Sequence, residues 1–359
     1  MKKRNLAVVF GGVSSEHPVS CVSAKSVIEN IKKDKYNIYM LGITKDGNWY
    51  LFEGDTALLP DDKWIDKKYI SPAFISPDTS VHGICVKRGD KIEAIYLDAV
   101  FPVLHGKNGE DGTIQGLFQL AQIPFVGCNA LSSAVCMDKA CTNLIADNAG
   151  IKQAKWKSIT KYNYNKNGEA FLKEAAEYLG FPIFVKPANA GSSVGISKAK
   201  NMPELVKGME IAFGEDTKIV LEEFIDGYEV ECAVLGNDEP EASTVGEILP
   251  TSEFYDYEAK YINGTTGLAI PAKNINEEKI NEVRAQAVKA YSALGCTGLA
   301  RVDFFVGKEN GEVYFNEINT LPGFTSISMY PKLWEASGLP YSDLLDKLAD
   351  LAAEIGGKI

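Results

Sequence analysis

RVDFF (Arg301–Phe305) and NEINTLPG (Asn316–Gly323) are two segments in which acids and amides interrupt strand-like apolar runs. Ala300–Val306 and Glu312–Ile318 read as strands joined through Gly307–Gly311, a hairpin by composition. Alternation along a strand puts Glu317 and Asn319 on one face. Hairpin pairing sets Asp303 beside them, with Arg301 two residues earlier on the same face. Paired surface charges would explain any one of these residues. Together, amid apolar neighbours, they are an expensive arrangement unless a ligand compensates it. Asp303, Glu317 and Asn319 are oxygen donors of the kind that one or two Mg²⁺ ions bridging nucleotide phosphates require.

Composition narrows the partners. The 359 residues suffice for two or three domains. Lys plus Arg total 37 against 48 acids, a net charge of −11. That balance argues against nucleic acid or an anionic membrane as the main partner, while leaving room for a local basic phosphate pocket. No apolar run approaches the length of a membrane helix, and the run following MKKRN is too short for a secretory core, so a cytoplasmic protein is expected. Seven scattered cysteines without a C-x-x-C pair suit reduced, buried thiols. Only three histidines (His17, His82, His105) are present, which leaves any metal to oxygen ligands.

Leu6–Phe10 reads as a strand ending at Gly11–Gly12, and Val19, Val22, Val27 and Ile31 recur behind it near helical spacing. Tyr36–Ile43 and Ala99–Leu104 are further strands and Ile114–Leu120 a helix, with Asp61–Lys68 and Ser76–Ser80 as loops. Strand alternating with helix implies an α/β unit with a parallel sheet covered on both faces. A helix over 137–148, stopped by Gly150, opens a smaller α+β part with strands in Phe181–Lys198, Ile219–Phe224 and Val230–Leu235. The amphipathic helix Lys279–Leu294, closed by Gly295, precedes the hairpin.

Gly11–Gly12, between strand and helix, is receptive to anions, but GGVSSEH lacks the third glycine of a dinucleotide-binding turn. Glu16 either complements the helix dipole or pairs with a substrate ammonium above the sheet edge. In HGKNGEDGT (His105–Thr113) the glycines suit a tight loop, while His105, ending an apolar strand, points to a ligand. KPANAGSSVG (Lys186–Gly195) can cradle phosphate with backbone N–H groups and the hydroxyls of Ser192 and Ser193, although taken alone it reads as a flexible turn. Lys186 supplies charge there, and Lys139, at a helix start, can add more from another direction. EEFIDGYEVE (Glu222–Glu231) can serve adenine and ribose, or be an exposed acidic hairpin.

In this order and spacing, GGVSSEHPVS, HGKNGEDGTIQG, MDKACT, KPANAGSSVGISK, EFYDYEAKY, RVDFF and NEINTLPGFTSISMYPKLW resemble the D-alanine–D-alanine ligases of the ATP-grasp superfamily over nearly the whole chain. The resemblance implies a Rossmann-like N-terminal α/β substrate-binding domain (1–128) and a two-lobed ATP-grasp fold, with a central lobe (129–214) and a C-terminal lobe (215–359). It also implies ATP, two Mg²⁺ (or Mn²⁺) ions, two D-alanine molecules and a homodimer. Lys139, Lys186, Ser193 and Asn316 would belong to the nucleotide site. Glu222, Phe224, Ile225 and Glu229 would hold adenine and ribose, with Phe305 packed on the base. Asp303, Glu317 and Asn319 would bind the metals.

By the same resemblance Glu16 would hold the first D-alanine, supported by Ser192 and Tyr261. Arg301 and the Gly323 backbone would stabilise a tetrahedral intermediate, and Ser328 would take the second D-alanine's carboxylate. His105 and Met329 would line the substrate pocket. Pro250–Tyr261 is the lid expected to exclude water, with Lys260 reaching the γ-phosphate. The implied reaction is ATP-dependent formation of D-alanyl-D-alanine through an acyl phosphate, for peptidoglycan. Pro18 and Ala188–Asn189–Ala190 depart from the commonest pattern without removing a ligand. Sister ligases that use D-serine or D-lactate often carry a basic residue where Met329 stands, so Met329 and the lid residue Tyr261 favour an amine acceptor with a small apolar side chain. A non-catalytic nucleotide-binding regulator would lack a metal ligand or Arg301, and all are present.

Overall fold

A computed structural model describes residues 2–249 and 267–356; the expected lid at 250–261, with Lys260 and Tyr261, lies outside the described residues. Three sheets organise the fold. The first is built on β1 (Arg4–Gly11), whose Leu6–Phe10 stretch is buried on both faces. Helix α1 (His17–Asn30) connects it to β2 (Tyr36–Ile43), which pairs with it in parallel. The strands β3 (Trp49–Phe52), β4 (Ile70–Ile75), β5 (Gly83–Arg88) and β6 (Lys91–Tyr96) continue the sheet, and β7 (Ala99–Val103) closes its other side, parallel to β1.

The expected parallel sheet is thus the core β2-β1-β7, and an antiparallel meander β3 to β6 extends it to seven strands. Those added strands escape the sequence reading because they are short and partly solvated. The edge strand β6, KIEAIY, is almost wholly exposed and carries Lys91 and Glu93, charges of the kind that protect a sheet edge.

Helices α2 (Thr113–Leu120), α3 (Ala130–Met137) and α4 (Lys139–Asn148) follow. The helix expected over 137–148 is α4, which starts two residues later, where the Asp138 carboxylate caps it by accepting from the backbone of Ala140 and Cys141. The second sheet contains β8 (Trp156–Thr160), β9 (Ile183–Pro187), β10 (Ser197–Ala199) and β11 (Lys218–Glu223) in the order β10-β9-β11-β8. Helices α5 (Lys161–Leu179) and α6 (Met202–Glu215) cover it, with Leu172, Leu205 and Met209 packed on Ile183, Val185 and Leu221.

The third sheet runs β14-β13-β12-β15-β16, all antiparallel: β12 (Gly227–Gly236), β13 (Glu241–Leu249), β14 (Gly267–Ala269), β15 (Gly298–Gly307) and β16 (Val313–Asn319). On one side α7 (Glu277–Ala293) sets Val283, Ala287 and Tyr291 against Val302, Phe304 and Phe315. On the other, α8 (Met329–Ala336) and α9 (Tyr341–Gly356) share a core with the first sheet, so that Leu344, Leu348 and Leu351 meet the layer containing Ile28, Ile31 and Phe101. Asp346 on α9 reinforces this junction by accepting from the Tyr36 hydroxyl at 2.7 Å and pairing with Lys35 at 2.5 Å and Lys32 at 3.3 Å. Among the described residues no helix is long and apolar enough to cross a membrane.

Candidate active site

A cleft of about 1070 Å³ opens where the three sheets approach, lined by Glu16 and His105 from the first, Lys186 and Ser192 from the second, and Arg301, Asp303 and Glu317 from the third. Glu16 sits immediately before α1, at the carboxyl end of β1, and is buried. Across the cleft Ser192 donates its hydroxyl to Glu16 Oε1. Gly106 lies against the other oxygen: its φ is 67°, and a Cβ there would fall 2.5 Å from Glu16 Oε2. Only glycine lets the His105–Thr113 loop approach this closely. The loop is held by Glu110, whose Oε2 accepts from the Gly106 N–H at 2.9 Å. Burial, and then the negative charge of Glu16, push the Glu110 carboxyl up to about 8. His105 is buried at the strand end, 3.4 Å from the Ser23 hydroxyl.

The loop between β9 and β10 carries Ser192 and Ser193 in the left-handed region, with φ of 50° and 59°. Two consecutive non-glycine residues there store backbone strain, which clusters at ligand-binding sites. Lys139 begins α4 and donates to Ala190 O at 2.9 Å, while its Nζ stands 3.8 Å from Glu317. Lys186 on β9 pairs with Glu222 at 2.5 Å and reaches Asn316 Oδ1 at 3.3 Å. Burial works against the Lys186 charge, but the facing Glu222 overrides it and the pKa rises. Glu222, Phe224, Ile225, Glu229 and Phe305 line the far end of the cleft, where Lys198 Nζ caps the Phe224 ring at 3.7 Å.

The face of the third sheet holds the densest charge. Asp303 pairs in register with Glu317 and Arg301 with Asn319, and Asn319 donates its amide to Asp303 at 3.0 Å. The register slips between Asp303 and Phe304, leaving Asn316 as a bulge, so the successive residues Asn316 and Glu317 both reach the cleft. Arg301 forks onto both Asp303 oxygens and lies 3.1 Å from Glu231 on β12, the register partner of Asp303. Burial pushes the Asp303 carboxyl up, with Glu231 and Glu317 adding to this against the opposing charge of Arg301. As donors, Asp303, Glu317 and the Asn319 carbonyl form an all-oxygen set suited to Mg²⁺ or Mn²⁺. A carboxylate has lone pairs enough to accept from arginine and ligate a cation together.

Of the expected site residues among those described, all line this cleft except Ser328 and Met329. Ser328 shares a hydrogen bond with Thr325 Oγ1 at 2.8 Å, and a Cβ on Gly323 would fall 2.7 Å from its Oγ, so it backs the Gly323 wall. Met329 is buried in the core, its Sδ against Gly246, and Leu333 one turn later meets the same glycine. Its expected place in the substrate pocket, and the argument from it about the acceptor, are therefore corrected. Glu110 and Glu231 are cleft residues that the sequence reading gave no role. The signal for Glu110 was present in the acid-bearing glycine loop, whereas Glu231 becomes visible only through its register with Asp303.

Family models described as D-ala D-ala ligase N-terminus and D-ala D-ala ligase C-terminus match residues 5–128 and 145–350. A D-alanine–D-alanine ligase from Acetivibrio thermocellus is 50% identical, over 98% of this chain and 96% of its own length. Among solved structures, the VanG D-Ala:D-Ser ligase from Enterococcus faecalis superposes with a TM-score of 0.89 at 44% identity, covering 98% of this chain and 100% of that one. The D-alanine–D-alanine ligase from Coxiella burnetii does so with a TM-score of 0.86 at 35% identity, covering 99% and 97%. With both halves matched and the relatives aligned end to end, the chain belongs to the D-alanine–D-alanine ligase family, enzymes of the ATP-grasp fold.

Proposed function

We propose that this chain joins two D-alanine molecules into D-alanyl-D-alanine at the expense of ATP, for peptidoglycan synthesis. The observation that carries the reading is the Ser192–Glu16 hydrogen bond, which closes an acid-lined pocket beside two lysines and a buried arginine. Glu16 binds the ammonium of the first D-alanine, and Ser192 and Gly106 fix the carboxylate that does so. ATP, with Mg²⁺ or Mn²⁺, supplies the phosphoryl group that turns an unreactive carboxylate into an acyl phosphate. Lys139, Lys186 and the strained Ser192–Ser193 turn hold the phosphates, Glu222 to Glu229 and Phe305 hold the nucleoside, and Asp303, Glu317 and Asn319 hold the metals. Arg301 meets the oxyanion that forms when the second amine attacks, aided by the Gly323 N–H.

The three sheets support the division into domains 1–128, 129–214 and 215–359, with the nucleotide between the last two. Seven free cysteines and a need for ATP suit a cytoplasmic location. A homodimer is the assembly the family resemblance implies, and light scattering tests it. D-Alanine is favoured as acceptor by relatives near 50% identity, against 44% for the D-serine enzyme. The test is Mg²⁺-dependent phosphate release from ATP with D-alanine alone, with added D-serine or D-lactate, and with L-alanine, the product being identified by mass spectrometry. D-Alanyl-D-alanine from D-alanine alone is expected. Release that requires another acceptor moves the substrate, and no release with any of them overturns the reading.

A further inference from the structure

Away from the cleft, the described residues bring together His17, Cys21 and Asp62, whose Nε2, Sγ and carboxylate oxygen all lie within 4.8 Å of one another. His17 opens α1 and Cys21 follows one turn later on the same side. Asp62 is delivered by the short 3₁₀ turn Pro60–Asp62, with φ of 57°. Buried Trp64 stands beside Cys21 of this cluster.

The hydrogen bonds around it orient every donor. His17 Nδ1 is 2.8 Å from the Gly12 carbonyl, which can only accept, so the proton is assigned to Nδ1. That leaves the Nε2 lone pair aimed at Asp62 Oδ1, 2.7 Å away. A lone pair and a carboxylate face each other at this distance only with a positive species between them, either a second proton or a metal. Cys21 Sγ approaches the same oxygen at 3.9 Å, and Lys45 holds the other Asp62 oxygen at 2.7 Å. A histidine whose far nitrogen donates to a backbone carbonyl, beside a carboxylate fixed by its own partner, has the outer-shell support that metal ligands show.

We propose that His17, Cys21 and Asp62 form a second cation site, for a thiophilic divalent cation such as Zn²⁺. Nitrogen, sulfur and oxygen donors in one cluster suit zinc and not magnesium, which sets this site apart from the oxygen-lined cleft. Tetrahedral zinc needs the nitrogen and oxygen about 3.3 Å apart and the sulfur and oxygen about 3.6 Å apart, against 2.7 Å and 3.9 Å here, so Asp62 must shift as the cation enters. A solvent molecule completes the shell. On binding, the cation replaces the proton between His17 and Asp62 and the thiol proton of Cys21, and both protons pass to solvent. Without a cation the thiol keeps its proton, since burial, and then the Asp62 charge, push it up to about 12. A bound divalent ion reverses that local field. Because His17 follows Glu16 directly, occupancy also stiffens the turn that presents Glu16 to the cleft.

Cobalt(II) reports thiolate ligation through a near-ultraviolet charge-transfer band, and serves as the probe on the full chain in saturating Mg²⁺, which fills the oxygen site. A single Co²⁺ per chain with this band is expected, displaced by Zn²⁺, lost in Cys21→Ser and retained in Cys136→Ser, the cysteine that lines the cleft. No band in the unaltered protein, or a band that survives Cys21→Ser, overturns the proposal and leaves an imidazolium–carboxylate pair. Should Cys21→Ser fail to fold, Asp62→Asn on the partly exposed turn decides the matter. Its Co²⁺ affinity is expected to fall on the order of tenfold or more; unchanged affinity overturns the assignment.

Discussion

Asp303 receives two parallel hydrogen bonds from Arg301, Nε to Oδ1 and Nη2 to Oδ2, each 2.7 Å long. One arginine therefore orients the carboxylate proposed as a metal ligand, balances Glu231, and lines the cleft where the proposed reaction develops negative charge. Replacing Arg301 by Ala is expected to lower kcat on the order of a hundredfold to a thousandfold, the scale of a lost oxyanion donor. It also leaves Asp303 and Glu231 buried without their cation, at a cost of about 3–5 kcal/mol. Arg301→Lys keeps charge without the fork, so it should recover stability better than turnover. Phosphate-release kinetics and denaturant unfolding on both variants check this; equal recovery of both quantities would contradict it.

The contact between Gly106 and Glu16 predicts a defect confined to the first substrate. Gly106→Ala must hold a Cβ 2.5 Å from Glu16 Oε2 at a φ of 67°. The left-handed conformation alone costs about 1–2 kcal/mol, so the loop should withdraw and the KM for D-alanine rise on the order of tenfold. Nucleotide affinity, measured by calorimetry without D-alanine, should stay unchanged.

Lys186 and the buried Glu222 form a largely shielded ion pair that separates a structural role from a nucleotide-binding one. Lys186→Met leaves Glu222 without its cation and should destabilise the protein by about 3–5 kcal/mol. Adding Glu222→Gln removes the stranded charge and should restore most of that stability, while ATP binding stays impaired in both variants. Unfolding curves and ATP titrations distinguish the two effects. Restored ATP affinity in the double variant would remove Lys186 from the phosphate site.

The convergence of Asp303, Glu317 and Asn319 on one face of the third sheet was legible because strand alternation is rigid. Once Glu317 and Asn319 lie on a hairpin with Asp303, few registers exist, and the observed pairing of Asp303 with Glu317 is one of them. The bulge at Asn316 was not legible, since a one-residue slip leaves no mark on an alternating pattern. Met329 failed for a similar reason. Adjacency to Ser328 says nothing about direction, whereas the start of α8 turns Met329 and Leu333 together onto Gly246. The start of α4 at Lys139 was legible in principle, because Asp before a lysine-led helix is a capping signal. Strands β3 to β6 have half-solvated faces, and so lack the unbroken apolar runs that exposed β1 and β7.

The junction between α9 and the first sheet gives the pH dependence its sign. Asp346 loses solvation, but hydrogen bonds from Lys35, Tyr36 and Lys32 outweigh that and hold its carboxyl below the usual range. A carboxylate whose pKa is depressed by folding stabilises the folded state above its unfolded value of about 3.9, and the contribution fades as pH falls through the lower folded value. Unfolding free energy should therefore drop with acidification below about pH 4, where the unfolded chain binds the proton more readily. Asp346→Asn should flatten that part of the acid limb and lower stability at neutral pH, where the ionised carboxylate makes its full contribution. Because α9 packs the third sheet onto the first, the same variant should widen the spacing between Glu16 and Arg301 and raise the KM for D-alanine at neutral pH. Urea unfolding between pH 3 and pH 7, paired with steady-state kinetics at pH 7, measures both. An unchanged acid limb in Asp346→Asn would show that the junction contributes nothing through this carboxylate.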